Sequence, residues 1–461
     1  MTDGASPERS CRRRPIALLL SCLVALAADA PAVPPCSAPG TGWCLARRIA
    51  GNIPNGELGF RFGEPLDVDG DGHADIAAGA RFKLEHGTLQ NGDASVWSGA
   101  SGALIRAWDG EWPDGLFGHW VMPVPDISGD GLADLIIAAP HASVDVSRRG
   151  IVVARSPKTG DEIWKRVETE SGNLGWDMAL AGDQNGDGHA DVFAGAPMED
   201  SGRVYLLSGK DGSVLRTYSP PAPAGSFGWY VARLDDLDGD GRPDLAVGAP
   251  FAKGAGDAKV GQVWVLSSKS GKALRHWQGT DPRGGFGEVV AAAGKREIAV
   301  AAPGTEDPKR TIPGELWIYS TASGKELRHL SGRQPGELYG RMVVATGDLD
   351  GDGVEDLAIG APWYRRDAAD MVGRVELRSG RTGKLLDEFF GDEADCWFGW
   401  HIRRAPDPDG RGRRALLIGS LRHPVDGKPG VGVIDLYVLR RPSKHAPQGT
   451  TTRGSRRSDI R

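Results

Sequence analysis

The sequence predicts an all-β fold, a seven-bladed β-propeller of four-stranded blades. Three observations lead there. An apolar residue followed by glycine recurs at 58, 117, 174, 227, 286, 339 and 398, at spacings of 59, 57, 53, 59, 53 and 59 residues. A fixed period of this size marks a repeat architecture. Each period carries the same order of short apolar runs, as in "DLAVGAP", "GQVWVLS" and "ALRHW". Runs of this length between turn signals read as strands. The chain also holds 67 glycines and shows no helical periodicity. Four short strands per period suit a propeller blade. A solenoid would need distinct caps at both ends.

Residues 1–30 open with Arg12, Arg13 and Arg14 before "PIALLLSCLVALAADA". A basic region, a short apolar core and small residues read as a secretory signal. The core is too short to span a bilayer. This places the chain outside the cytoplasm, with lipidation at Cys22 in "LLSC" as the alternative. Residues 31–44 form a short linker. Cys36 and Cys44 are candidates for a local disulfide in an oxidising compartment, leaving Cys396 over.

The seventh repeat stops after its third strand, "GVIDLYVLRR". The missing strand lies ahead of the first repeat, where "CLARRIAGNIPNGELGF" aligns with "GALIRAWDGEWPDGLFG". Residues 45–50 are therefore expected to complete the last blade, which removes exposed strand edges. The propeller then spans 45–439.

Between the first and second strand of five repeats stands an acidic loop: "DVDGDGHAD" from 67, "DISGDGLAD" from 126, "DQNGDGHAD" from 183, "DLDGDGRPD" from 236 and "DLDGDGVED" from 348. Oxygen-bearing side chains hold positions 1, 3, 5 and 9. Crowded carboxylates at alternate positions suit a hard cation that takes many oxygen ligands, and calcium fits. An EF-hand would need a bidentate Glu at position 12 leading into a helix. Position 12 is Ala78, Ile137, Ala194, Val247 or Ile359, each inside a strand-like run. Turn-forming Asp and Gly without an ion is the bland reading, and five matching copies weigh against it.

The pairing of an "FG" start, an Asp-rich loop and a "GAP" strand resembles the FG-GAP repeats of the integrin α-subunit N-terminal β-propeller, over residues 44–439. The resemblance implies about five calcium ions. Their ligands would be Asp67, Asp69, Asp71 and Asp75; Asp126, Ser128, Asp130 and Asp134; Asp183, Asn185, Asp187 and Asp191; Asp236, Asp238, Asp240 and Asp244; and Asp348, Asp350, Asp352 and Asp356. Position 7 would add a backbone carbonyl, from His73, Leu132, His189, Arg242 and Val354. The fifth repeat has lost its loop ("VVAAAGKREIAVAAP"). The seventh reads "DPDGRGRRA". There Arg411 is expected to pair with Asp407 and Asp409 in place of a metal.

Aromatics flank the apolar-Gly starts: Phe60, His119, Trp120, Trp176, Trp229 and Trp400. They are placed at the channel mouth opposite the acidic loops. Such a ring could hold a sugar or a partner's arginine; packing between blades is the simpler role. The polar loops after "GAP" share that face and could take part in recognition.

Net charge is −6, with +1 in residues 1–30 and +6 in 440–461, which leaves −13 on the body. Five divalent ions would neutralise most of this, and the acidity argues against nucleic acid as a partner. The basic tail is poor in apolar residues and reads as disordered, with a tether to an anionic surface as its alternative role. No H-E-x-x-H, G-x-S-x-G or Cys–His grouping occurs. The expected function is a secreted, calcium-stabilised, non-catalytic module that binds a protein or glycan. The alternatives are a propeller enzyme acting on extracellular polysaccharide and, more weakly, a quinone-dependent dehydrogenase suggested by "SGKDGSVLRTY".

Overall fold

The computed structural model describes residues 42–440, apart from short loop stretches at 83, 86–88, 144–148, 169–171, 222–224, 255–257, 306, 308 and 368–369. The expected signal, Cys36 and the basic tail beyond Arg440 lie outside the described residues. Those residues form strands and turns, and no helix occurs among them.

Seven antiparallel blade sheets follow one another along the chain, three-stranded in the first blade and four-stranded in the other six, with Leu84–Glu85 and Leu89–Gln90 forming a separate two-stranded sheet. The second blade is typical. Trp120–Val124 is innermost, followed outward by Asp134–Ala139, Ile151–Arg155 and Glu162–Val167. The burial pattern explains the sequence. Second strands such as Asp134–Ala139 are buried along their whole length, so they read as unbroken apolar runs. Outer strands such as Leu104–Asp109 alternate, because one face meets water. In the first blade the innermost segment forms no continuous ladder and pairs with the next strand through isolated bridges, from Phe62 to Ala78 and from Leu66 to Asp75. Pro65 stands between those bridges and offers no N–H to a ladder.

The two glycine motifs meet across the blade boundaries. A Cβ on Gly79, the "GAP"-type glycine of the first blade, would sit 2.0 Å from the carbonyl oxygen of Gly118, the start glycine of the second. Gly360 and Gly399 repeat this at 2.2 Å between the sixth and seventh blades. Backbones approach so closely that no side chain fits. The apolar partner of each start glycine is packed inside: Phe117, Phe227 and Phe398 are at most 1% exposed.

The last blade closes as expected. Gly42–Ala50 pairs antiparallel with Val433–Arg440, outside Ala415–Ser420 and Phe398–Ala405. The strand begins at Gly42, so it takes in the end of the expected linker. Arg48 binds Asp435 through Nε at 2.7 Å and Nη2 at 2.9 Å. Cys44 is disulfide-bonded, and Cys396 is a buried free thiol.

Candidate metal centres and the axial mouth

The five acidic loops share one framework of hydrogen bonds. The position-1 carboxylate accepts from the N–H of positions 4 and 6. In the fourth loop Gly239 donates to Asp236 at 2.7 Å and Gly241 at 2.9 Å. The same pair recurs on Asp67, Asp126, Asp183 and Asp348. These bonds hold Asp183, Asp236 and Asp348 below the usual carboxylate range; Asp126 is lowered the same way against the opposing effect of burial. The intervening glycines adopt positive φ, 81° and 88° at Gly239 and Gly241. The position-5 carboxylate accepts from the N–H of position 7, as Asp240 does from Arg242 at 3.0 Å.

The position-9 aspartate is different. Asp75, Asp134, Asp191, Asp244 and Asp356 are fully buried. One oxygen accepts from the N–H of position 2, as Asp244 does from Leu237 at 2.8 Å. The other reaches the turn between the third and fourth strands, meeting the N–H of Gly99, Gly209, Ser268 or Gly380. This carboxylate therefore ties the loop to the outer half of its blade. In the second blade Pro157 stands where the others carry that N–H, and Asp134 Oδ1 is left without a partner. Burial pushes all five upward, and Asp244 reaches about 6, helped by Asp238 and Asp240. Negative charge packed at a buried carboxylate is what a cation would relieve.

In three loops the carboxylates already converge. Ligand oxygens of Asp67, Asp69 and Asp71, of Asp236, Asp238 and Asp244, and of Asp348, Asp350 and Asp356 lie within 4.8 Å of one another. The second and third loops carry Ser128 and Asn185 at position 3 and so bring fewer carboxylates together. Asn185 Nδ2 donates to Asp187. The oxygen-only donor sets fit a hard divalent cation.

The fifth and seventh blades depart as the sequence implied, with one correction. In the fifth, a tight turn closes the first hairpin, with Glu297 N–H bonded to Gly294 O at 3.3 Å. In the seventh, Arg413 and not Arg411 occupies the acidic pair. Its Nη2 lies 2.8 Å from Asp407 and 2.7 Å from Asp409. Arg411 is exposed and only 3.9 Å from Asp409. Arg413 sits at position 7, whose N–H already folds back onto Asp407 at 3.0 Å, so its side chain starts closer. Burial acts to raise Asp407, yet its bonds to Arg413 bring it down to about 2. Arg413→Ala is expected to free two carboxylates and cost about 1–2 kcal/mol of stability. The loss should shrink in millimolar calcium, as the emptied pair gains an ion. Thermal melts with and without calcium check this.

At the opposite end of the inner strands, the residues just after the start glycines form a ring: Phe60, His119, Trp176, Trp229, Glu288, Arg341 and Trp400. Phe60 contacts His119 at 4.8 Å and Trp400 at 5.9 Å; His119 contacts Trp176 at 5.1 Å; Trp176 contacts Trp229 at 4.8 Å. Trp176, Trp229 and Trp400 stay partly exposed, whereas Phe60 is 5% exposed. Trp120, expected among them, lies one position deeper. It is 2% exposed, and its Nε1–H donates to Asp177 at 2.7 Å, so it is a channel-wall residue. Asp177 also pairs with buried Arg61.

The ring already holds cations of its own. The Arg81 guanidinium lies 3.5 Å from the Phe60 centroid, and that of Arg341 lies 4.3 Å from Trp400. Two aromatic faces that a partner's arginine would use are thus taken. Arg81 is anchored by Glu57 at 3.0 Å. Arg341 holds the same position after its start glycine as the aromatics that marked the ring, and was passed over because only aromatics were followed there, while Arg81 lies outside the motif.

The FG-GAP repeat family matches residues 117–153, 174–207, 227–266 and 342–375. The chain is 31% identical over 183 residues to integrin alpha-PS5 of Drosophila melanogaster, covering 36% of this chain and 18% of that protein. It is 31% identical over 255 residues to integrin alpha-V of Gallus gallus, covering 54% and 20%. Human phosphatidylinositol-glycan-specific phospholipase D is 25% identical over 405 residues, covering 73% of this chain and 47% of that one. The chain thus spans less than half the length of these relatives. Among solved structures, BBS1N in complex with ARL6DN superposes with a TM-score of 0.53 at 11% identity, covering 88% of this chain and 98% of that one, a likeness of fold alone.

Proposed function

This chain is an FG-GAP repeat protein resembling the integrin α-subunit N-terminal β-propeller, and on that premise we propose that it is a secreted, calcium-stabilised binding module. Calcium is assigned to the five loops from Asp67, Asp126, Asp183, Asp236 and Asp348, with the position-7 carbonyls completing each set. The observation that carries this is the shared framework: position 1 locked by two N–H groups, and a buried position-9 carboxylate pushed upward by burial and its neighbours. The role of the ions is to tie strands together, and the opposite, axial face is left for a protein or glycan partner. Its extracellular setting is supported by the integrin relatives and by the apolar segment of residues 16–28. No helix among the described residues is long and apolar enough to cross a membrane.

Equilibrium dialysis of the whole chain should find about five calcium ions, with none at Asp407 and Asp409. Zero or one ion would defeat the metal assignment.

The alternative, a propeller enzyme, draws on the long alignment with the phospholipase D. Trp229 separates packing from ligand binding at the mouth. Its ring meets Trp176 and Phe251, at 4.8 and 5.1 Å. Trp229→Ala is expected to cost about 2–3 kcal/mol, equally with and without calcium, because it removes packing far from the loops. An unchanged melting temperature with lost glycan or partner binding would make the ring the functional site and overturn the packing role.

A further inference from the structure

The axial face over the fifth to seventh blades carries a cluster that the motifs did not announce. Trp397 stacks on Trp400 at 5.5 Å and 21°, and Trp363 meets Trp397 edge-on at 5.7 Å. Each of the three indoles carries one arginine: Arg310 on Trp363 at 4.1 Å, Arg422 on Trp397 at 5.0 Å and Arg341 on Trp400 at 4.3 Å. Among the described residues, none of these three guanidinium groups makes a close ion pair or a side-chain hydrogen bond; Arg341 feels the carboxylates of Glu288 and Asp177 electrostatically, and Arg310 and Arg422 stand outside that influence. The Nε1–H groups of Trp363 and Trp397 are buried and have no acceptor either. A buried donor without an acceptor is costly to leave so, and stacked guanidinium groups keep their in-plane donors free for anions. Arg310 and Arg422 are exposed and lie over the same indoles. A guanidinium drawn toward a ligand would uncover the N–H beneath it.

We propose that this cluster binds an acidic glycan, its carboxylate or sulfate groups held by Arg310, Arg341 and Arg422 and its hydroxyl oxygens by the indoles of Trp363 and Trp397. The occupant follows from the donors. Every unpaired group here donates, and the positive charge of Arg310 and Arg422 is unopposed while Glu288 and Asp177 offset part of that of Arg341, so the ligand must be rich in acceptors and anionic. A sugar hydroxyl accepts as readily as it donates. An acidic peptide would bring one backbone N–H per residue to a surface whose free groups are all donors. The occupied ring faces also turn away a cationic ligand. The inference rests on the axial face being the binding face, and it names the ligand class for that face.

The test is calorimetric titration of the full chain, in calcium, with an oligoglucuronate and with a sulfated glucan oligomer. A neutral glucan oligomer and polyglutamate serve as comparisons. One or both anionic sugars should bind, the neutral one should not, and the tryptophan emission should shift on binding. Arg310→Gln and Arg422→Gln change exposed side chains, so their melting temperatures should match the parent. Each should weaken binding about tenfold or more, as expected for a charge-assisted hydrogen bond. Trp397→Phe keeps a ring and removes the N–H, and should weaken binding about threefold. The basic tail is common to all variants. Equal binding by the Arg310→Gln, Arg422→Gln double variant would therefore trace any affinity to the tail and overturn the site. Absence of binding to either sugar, or polyglutamate binding as tightly, would overturn it too. If calcium still raises the melting temperature in that case, the scaffold reading stands; if sugars bind and calcium has no effect, the metal assignment fails and the site survives.

Discussion

Deletion of residues 1–51 is expected to lower stability by several kcal/mol and to make the protein associate. The deletion strips the outer strand from the last blade, where eight residues of Gly42–Ala50 are in register with Val433–Arg440. It uncovers Leu436 and Val438, now packed with Ile49 and Cys44. The larger effect is electrostatic. Asp435 is 1% exposed and owes its pairing to Arg48, which also reaches Asp392 at 2.9 Å. Removing one partner of a buried ion pair costs about 3–5 kcal/mol, because the remaining charge is stranded. The exposed "VIDLYVLR" strand would also present an apolar edge to other chains. Arg48→Met separates these contributions: it should reproduce most of the stability loss without association. Calorimetry and light scattering check both. A monomer with an unchanged melting temperature would show that the ring does not depend on its clasp.

The repeat was legible because each motif has a local cause that recurs, seven times for the start glycine and five times each for the "GAP" glycine and the acidic loop. Start glycines and "GAP" glycines recur since two backbones touch at most blade boundaries, and that requirement appears in the chain as letters. The acidic loops were legible for the same reason, down to their loss in the fifth blade. What stayed hidden depends on contacts between blades or on loop path. Arg413 lies two residues beyond the position compared with the other loops, and only the fold-back of its own N–H shows that its side chain reaches Asp407. Pro157 replaces a residue whose N–H caps the buried aspartate elsewhere; the signal was in the sequence, but its meaning required the turn to be seen against Asp134. Arg374 is fully buried between Glu337, at 3.2 Å, and Glu376, from another turn and its own strand, a pairing that no spacing rule predicts. The mouth was legible as aromatic and only partly as cationic: Arg341 stands directly after the start glycine Gly340, in the position that marked the ring, whereas Arg81 reaches Phe60 from outside that motif.

Calcium removal is expected to produce the largest change the molecule can undergo without a mutation, and Asp240→Ala shows where it acts. At millimolar calcium, a site of about 0.1 mM affinity adds about 1.4 kcal/mol; five independent sites would add about 7 kcal/mol, comparable with the whole stability of a domain. Asp240 holds the centre of the fourth loop, accepting from Arg242 N–H at 3.0 Å and lying 3.5 Å from Ser267 Oγ. Its loss leaves Asp236, Asp238 and Asp244 with one fewer ligand for the ion. In calcium the variant should be about 1–3 kcal/mol less stable than the parent. In chelator the difference should nearly vanish, since neither protein holds the ion. It can even reverse. Asp244, buried and already pushed up to about 6, is opposed by the charges of Asp238 and Asp240, and deleting one of them eases it. The measurement is a pair of melts for each protein, with calcium and with chelator. A variant equally destabilised in both would mean that Asp240 matters only for the turn, and the fourth loop would be a hairpin that happens to be acidic.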